Sequence, residues 1–454
     1  MAKLGVYKPR NGCALHGAVS TIEEIRGVVP IIHSNQGCAV QNYLANKTSG
    51  AGASIVEGFS LPGTTVQERH VIFGGASRLR EQIKNTVKVI NGDLYVVLNS
   101  CESAMVGDDI DAMTKESFEQ GEPILDSILA GFNGDNHVGY AQVLTDIFKK
   151  LPDIWNNIER PEGEEKTVNI LGILPKHDIF YKGELRELRR ILSKVGIKAN
   201  VFFGSRDGVQ ELKSAVKADL TLNFSKWGVQ PAEVLKEKYG IPYITFEAVP
   251  TGVTGVRDFL DKTLDALGLE RSDKYEQLLA EAEEEYSYYL ARLEEDFYSY
   301  HLNRRIGIVG DERTVVQISK FLSEYLQIVP ALVIVTDFYS DEEHTKDTER
   351  ERLSSISDDI HFRQDANEIS SILEHSDIDI ILGSSLEEKE DIPNLIVSYP
   401  AYNREIISKS YAGLTGGLTL LEDIVTLLKS YDSEILDRRF EEKINNSIRS
   451  RKVG

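Results

Sequence analysis

Short runs of β-branched and aromatic residues alternate along this chain with longer stretches whose apolar positions recur every three or four residues. The first pattern predicts strands and the second amphipathic helices. "GVVPIIHSNQGC" reads as a strand ending in a loop, and "DLYVVLNSC" as a strand ending in a cysteine. "TVQERHVIFGGASRLREQIKNTVKVI" leads from a loop into a helix, "PILDSILAGF" is an apolar segment, and "YAQVLTDIFKKL" is helical. A polar linker, "RPEGEEKT", precedes a second series with strands at "VNILGIL", "ANVFFG", "DLTLNF" and "PYITFE". A third series starts at "RRIGIVGD", has strands near "ALVIVTDF", "DIDIILGSS" and "NLIVSYP", and closes on the helix "GGLTLLEDIVTLLKSYDSEIL". Strands alternating with helices predict an α/β protein with mainly parallel sheets flanked by helices. We place three such domains at residues 1–160, 161–303 and 304–454. Ser272 to Leu302 contains no Gly or Pro and predicts one long acidic helix, whose tyrosines and leucines form a packing stripe between domains. "TKDTERERLSSISDD" reads as a solvated charged stretch.

Length agrees with more than one core, since 454 residues exceed what a single hydrophobic core organises. No apolar run reaches the roughly 18 residues of a membrane helix, and "MAKLGVYKPRNGC" has no signal-peptide core. We therefore expect a cytoplasmic protein with no membrane partner. A net charge of −21 argues against nucleic acid as a partner. No G-x-x-x-x-G-K-[ST] is present, so ATP hydrolysis is not expected, and "GIVGDERT" lacks the dinucleotide fingerprint.

The chain has three cysteines, Cys13, Cys38 and Cys101, and none in the remaining three quarters. An odd number does not suit a secreted disulfide framework. Separations of 25 and 63 residues match no zinc-ribbon spacing. Cys38 and Cys101 follow strand ends, where open α/β sheets bind ligands. Three thiolates make better sense if a second chain supplies more, as at an interfacial iron–sulfur cluster; the bland alternative is three buried inert cysteines. Gly12 and Gly37 remove bulk beside two of them, and Gly37 would offer an unobstructed N–H to cluster sulfur. Ser100 places a hydroxyl beside Cys101.

"NGCALHGAV", "HSNQGCA", "ERHVIFGG" and "CESAMVGDDIDA" resemble the successive motifs of the nitrogenase component 1 family, and of its β-type subunit in particular. The resemblance is specific over about residues 10–112. Beyond that it is one of layout and of the ending "LIVSYPAYNREIISKSYAGLTGGLTLLEDIV". It implies three Rossmann-like domains of nitrogenase component 1 type. It implies that Cys13, Cys38 and Cys101 are the β-side ligands of the P-cluster, an eight-iron (8Fe-7S) centre completed by an α-type partner in an α2β2 heterotetramer. A four-iron (4Fe-4S) cluster, as in the tetrapyrrole branch, is the alternative. An ATP-dependent iron protein would be the reductase, and an iron-based catalytic cofactor would sit in the α-type chain. In keeping with that, no cysteine follows Cys101 and no histidine follows His375. Phe73 matches a phenylalanine near the reductase-docking surface, the competing reading being a core aromatic; Glu68 and Arg69 share its loop. Gly107, Asp108 and Asp109 read as an acidic helix start.

There are departures. A "TPSFVGS"-like stretch, whose serine can join the oxidised cluster, is replaced by "GDNHVGY" with Asn136 and His137. Asn136 is a poor iron ligand, and His137 reads as a polar loop residue before it reads as a ligand or hydrogen-bond donor to cluster sulfur. The ending carries "YPAYNR", and no long arm precedes Cys13. These point to a nitrogenase or a nitrogenase-like reductase acting on dinitrogen or on a methylthio-alkane by C–S cleavage. A cofactor-assembly scaffold, a tetrapyrrole-type reductase subunit and a metal-free sugar- or nucleotide-binding protein are the rivals.

Overall fold

The computed structural model describes residues 10–46, 61–155, 165–204, 207–299, 304–337, 343–389, 392–402 and 404–430. Part of the expected linker, and the expected last helix beyond residue 430, lie outside them. Among the described residues three sheets, all with parallel pairing, organise the fold. The first has the order β1-β2-β3, with β1 at Val28–His33, β2 at Leu94–Asn99 and β3 at Ile124–Ser127. The second runs β5-β4-β6-β7, from β4 at Thr167–Leu171, β5 at Lys198–Asn200, β6 at Leu220–Asn223 and β7 at Tyr243–Thr245. The third runs β10-β9-β8-β11-β12, from β8 at Ile306–Gly310, β9 at Leu332–Val335, β10 at Ile360–Phe362, β11 at Ile380–Gly383 and β12 at Asn394–Ile396. β2 is buried at every position, as a strand covered on both faces must be.

Seven helices of the first part frame its sheet: α1 Ala14–Glu23, α2 Gln36–Asn46, α3 Glu68–Phe73, α4 Ala76–Val89, α5 Cys101–Val106, α6 Ile110–Glu119 and α7 Asn136–Ile154. α1 and α7 cross at backbone contact. A Cβ on Gly17 would stand 2.0 Å from the Asn136 carbonyl oxygen, and one on Gly139 2.0 Å from that of Ala14. Only glycine permits this approach, and it seats the start of α1 beside the start of α7.

One continuous apolar core runs from Ala14 and Leu15 through Phe148 to Phe202, Phe259 and Tyr286, so the first two sheets share it. A second core, made of Ile179, Phe180 and residues from Ile306 to Leu428, serves the third sheet. The helix Asp273–Ser299 joins them. Tyr275, Leu279, Ala282 and Tyr286 lie in the first core, while Leu290 and Leu293 pack against the second. This is the predicted stripe, at spacings of four, three and four residues. Near the chain start, Arg10 is buried and reaches the third sheet's surroundings, bonding Ser384 Oγ and the Tyr399 carbonyl at 2.8 Å and pairing with Glu387.

The structure adds secondary structure to two segments that the sequence reading left without it. The segment "PILDSILAGF" contains the edge strand β3, and the charged stretch after residue 343 is helical over Glu343–Leu353. Good helix formers outweigh the absence of an apolar face there. Among the described residues no helix is long and apolar enough to cross a membrane.

Candidate functional site

Each cysteine lies at or within the first turn of a helix. Cys13 is the N-cap of α1, Cys38 is the third residue of α2, and Cys101 is the first residue of α5. The loop expected after "GVVPIIH" is therefore only two residues long before α2 starts. β1 and β2 are hydrogen-bonded neighbours in register, His33 opposite Asn99, so the helices that follow them start side by side. Ser103 Oγ donates to the His33 carbonyl (2.9 Å), tying the end of β1 to the start of α5. The His33 ring is buried between Thr64 Oγ1 (3.0 Å) and Asp108 Oδ2 (2.9 Å). Cys13 comes in from a different direction, through an isolated antiparallel bridge to Asp135 and the Ala14 N–H to Gly134 carbonyl bond (2.9 Å).

The thiols converge. A Cβ built on Gly131 would lie 3.0 Å from Cys101 Sγ and 3.1 Å from Cys13 Sγ, so these two sulfurs face one another across the bare glycine. Cys38 belongs to the same group: burial, then the thiols of Cys13 and Cys101, push its own thiol up. Thiols that resist joint ionisation are relieved when a cation binds them. The three sulfurs are not among the donor sets whose atoms all lie within 4.8 Å of one another, which is wide for a single ion. Cys13 and Cys101 are exposed and Cys38 is half-buried. No side chain caps α1. The Ala14 N–H is taken by the Gly134 carbonyl, but the partial positive charge of a helix start still favours an anionic group there. Soft sulfur donors, a widened spacing and a glycine-lined gap suit an iron–sulfur cluster rather than one hard ion.

Other expected residues fall differently. The Gly37 N–H, expected to be free, donates to Asn35 Oδ1 (2.8 Å). Gly12 is required by a neighbour: a Cβ there would meet His16 Nδ1 at 2.2 Å. Ser100 is buried and caps α5 by accepting the Ser103 N–H (3.4 Å), so it positions Cys101. Phe73 ends α3 on the surface, 85% exposed, beside the exposed Val71 and Ile72, which removes the core-aromatic reading. Glu68 opens the same helix, and Arg69 Nε donates to His70 Nε2 (3.2 Å). Gly107 takes a left-handed conformation after α5, Asp108 accepts the Gly75 N–H (2.7 Å), and Asp109 caps α6. Exposed apolar side chains surround the thiols' helices, with Val40 and Leu44 on α2, Met105 on α5, and Ile128 and Phe132 flanking Gly131.

"GDNHVGY" is not a loop, and His137 does not face the sulfurs. Asp135 caps α7, and Asn136 and His137 are its first, buried residues. His137 Nδ1 lies 3.0 Å from Asp135 Oδ2, and its Nε2 lies 3.0 Å from Asp311 Oδ2. His177 Nε2 approaches the same oxygen at 2.7 Å. Burial opposes charge on His137, yet Asp135 and Asp311 hold its imidazole well above the ordinary value. Burial likewise works against ionised Asp311, but His177 and His137 hold its carboxyl well below the usual range. Gly131, His177 and Asp311 were missed from sequence. The available signal was their place after strands, where ligand loops gather.

His16, one turn beyond Cys13, is buried without a hydrogen bond of good geometry to either ring nitrogen. Burial, with Lys176 and His177 nearby, lowers its imidazole to about 4, from 6.5. A histidine with a depressed folded value binds its proton more readily when unfolded. Its stabilising contribution is therefore present above pH 6.5 and lost as pH falls toward 4. That loss amounts to about 3 kcal/mol. In His16→Gln, urea melts at pH 7 and pH 4.5 should show a correspondingly flatter pH dependence than the parent.

The family described as nitrogenase component 1 type oxidoreductase matches residues 13–429. The chain is 23% identical to the nitrogenase molybdenum-iron protein beta chain of Methanococcus maripaludis, over 94% of this chain and 96% of that one. It is 24% identical to the beta chain of the same name from Bradyrhizobium diazoefficiens, over 97% and 85%. It is also 24% identical to a subunit of the light-independent protochlorophyllide reductase of Heliobacterium modesticaldum, over 96% and 81%. Its fold is similar to the solved structure "Nitrogenase Cp1 at pH 6.5", with a TM-score of 0.75, 20% identity and 94% of each chain covered.

Proposed function

Because the chain belongs to the nitrogenase component 1 type oxidoreductase family, as a β-type subunit, we propose that it holds half of an iron–sulfur cluster at the contact with an α-type partner. Cys13, Cys38 and Cys101 are the ligands in this reading. The observation that carries it is the meeting of Cys13 and Cys101 sulfurs over Gly131, with Cys38 electrostatically coupled to both. When bound, such a cluster supplies one-electron storage and transfer. The chain's own part is to fix three sulfurs on three helix starts and to surround them with apolar side chains that a partner covers.

We favour the eight-iron P-cluster, since three thiols per chain suit a large shared centre. The kinship with a protochlorophyllide reductase subunit supports a four-iron cluster as the second reading. The catalytic iron-based cofactor would lie in the α-type chain of an α2β2 heterotetramer, reducing dinitrogen or a methylthio-alkane in the cytoplasm. We retain the three-domain division at residues 160 and 303. An ATP-dependent iron protein would dock on the surface marked by Val71, Ile72 and Phe73. Phe73→Ala should lower reductase-dependent turnover about tenfold, the size of a modest hot spot. Iron content and melting temperature should not change, because the side chain packs on nothing internal.

The deciding experiment is iron and acid-labile sulfide analysis, with electron paramagnetic resonance, of the complex purified with its partner. Several irons per chain, lost in Cys101→Ser, support cluster binding. A colourless, iron-free complex refutes it. Turnover with the reductase then separates an enzyme subunit from an assembly scaffold.

A further inference from the structure

We propose that His137, His177 and Asp311 form a second metal site, for a divalent ion of zinc type, at the junction of the three sheets. Their donor atoms lie within 4.8 Å of one another. Each comes from a different part of the fold: His137 starts α7, His177 follows β4, and Asp311 follows β8. β4 and β8 are the strands from which their sheets grow in both directions. The crevice beyond such switch points is where α/β sheets bind ligands. Two imidazoles and one carboxylate are a donor set for zinc and other first-row ions.

The surroundings are built to orient these donors. Asp135 Oδ2, 3.0 Å from His137 Nδ1, fixes the tautomer that turns Nε2 inward, as outer-shell carboxylates do for metal-bound histidines. Thr336 Oγ1 donates to Asp311 Oδ1 (2.9 Å), leaving Oδ2 for the centre. The Asn136 amide stands 3.4 Å from His177 Nδ1. The Trp227 ring packs on His137 and the Tyr399 ring on His177, each with centroids 4.9 Å apart, which restrains both imidazoles. A cavity of about 10 Å³, about the size of one water, borders two of the three donors, His177 and Asp311.

Charge balance favours the ion over the metal-free network. Asp135 and Asp311 are two carboxylates in a largely buried setting; Asn11 Nδ2 and the His137 N–H donate to Asp135 (2.9 and 3.0 Å), and positive charge beside both carboxylates adds to that stabilisation. Two imidazolium rings would supply that charge only with centroids 4.3 Å apart, repelling one another where water does not screen them. One divalent ion supplies it and leaves both rings neutral. Lys226 also lies within the field of Asp311, but its ammonium is flanked first by Glu312 and Asp337 at 3.4 and 3.3 Å. None of the three cysteines takes part, so the inference stands whether or not the thiols bind a cluster.

The test is elemental analysis together with zinc K-edge X-ray absorption on the purified full-length complex, which cluster iron does not obscure. We expect about one zinc per chain, with nitrogen and oxygen neighbours including imidazole and no sulfur. Asp311→Asn and His177→Gln should each remove it and leave the iron content of the complex unchanged. Less than about a tenth of a zinc per chain in the parent after growth and purification with zinc present, or zinc with sulfur neighbours, overturns the proposal. The parent measurement decides even if a variant fails to assemble. A zinc-free parent would mean that the cluster is an imidazolium–carboxylate ion network.

Discussion

Gly131→Val should strip at least nine tenths of the bound iron from this chain without unfolding it. The first atom of any side chain at this position would lie 3.0 and 3.1 Å from two of the three sulfurs, inside ordinary contact distance. Both thiols are exposed, so each can swing aside about χ1 at little cost to the fold, but only by leaving the gap that they share. The backbone at both is held in place: Cys13 is the N-cap residue of α1, whose Gly17 is jammed against α7, and Cys101 opens α5, whose start is fixed by Ser100 and Ser103. Valine fills the gap that a ligand of these sulfurs would occupy. Losses of ten- to a hundredfold in metal affinity are usual when the groups around a site are disturbed, and a direct steric block belongs at the upper end. Gly131 has no positive φ, so valine meets no strain of that kind. The melting temperature of the iron-free variant should stay within about 3 °C of the iron-free parent. Iron analysis and differential scanning calorimetry check this; full iron retention would show that the sulfurs do not share a ligand over this glycine.

Arg313→Met should give the largest loss of stability. Its guanidinium is buried and meets Asp178 Oδ1 at 2.7 Å and Glu184 Oε2 at 2.8 Å, both also buried. The pair comes from the loop and helix after β4, and Arg313 from the helix after β8, so this contact joins the second and third sheets. Removing one partner of a buried ion pair leaves charge without compensation, at a cost of about 3–5 kcal/mol. The cost should depend on pH. Burial already raises the Glu184 carboxyl, with Arg313 working against it. Without the arginine the carboxyl rises further, and a carboxyl raised on folding loses stability as pH rises. The variant's deficit should therefore be smaller at pH 5 than at pH 8 in urea melts. Adding Glu184→Gln should recover part of it. A deficit under about 1 kcal/mol at both pH values would contradict the argument.

Much of the architecture was legible. The alternation of apolar runs and amphipathic stretches foretold three parallel sheets, because strand and helix periodicities are local properties of the chain. The stripe on Asp273–Ser299 was visible for the same reason. "PILDSILAGF" and "TKDTERERL" were left without an element, since a four-residue edge strand and a highly charged helix have almost no periodic signal. At the candidate site the cysteines stood out by number and by their place after strands. Gly131 did not, because a glycine in "LAGFNG" looks like any turn glycine until two sulfurs are seen against it.

His137 shows where sequence reading fails. "GDNHVGY" has the composition of a loop, and a loop histidine is exposed. The aspartate before it is instead a helix cap, and the histidine is buried because the segment from β8 brings Asp311 against it.

By itself the sequence determined the class of fold, the order of its strands and helices, and the three thiols that mark the chain's chemistry, for these depend on residues near one another along the backbone. Only the tertiary structure decided which side chains meet. The sulfurs of Cys13 and Cys101 close over Gly131, and His137, His177 and Asp311 gather at one point, because crossover connections and helix packing bring together segments that share no local hydrogen bonds and no common periodicity.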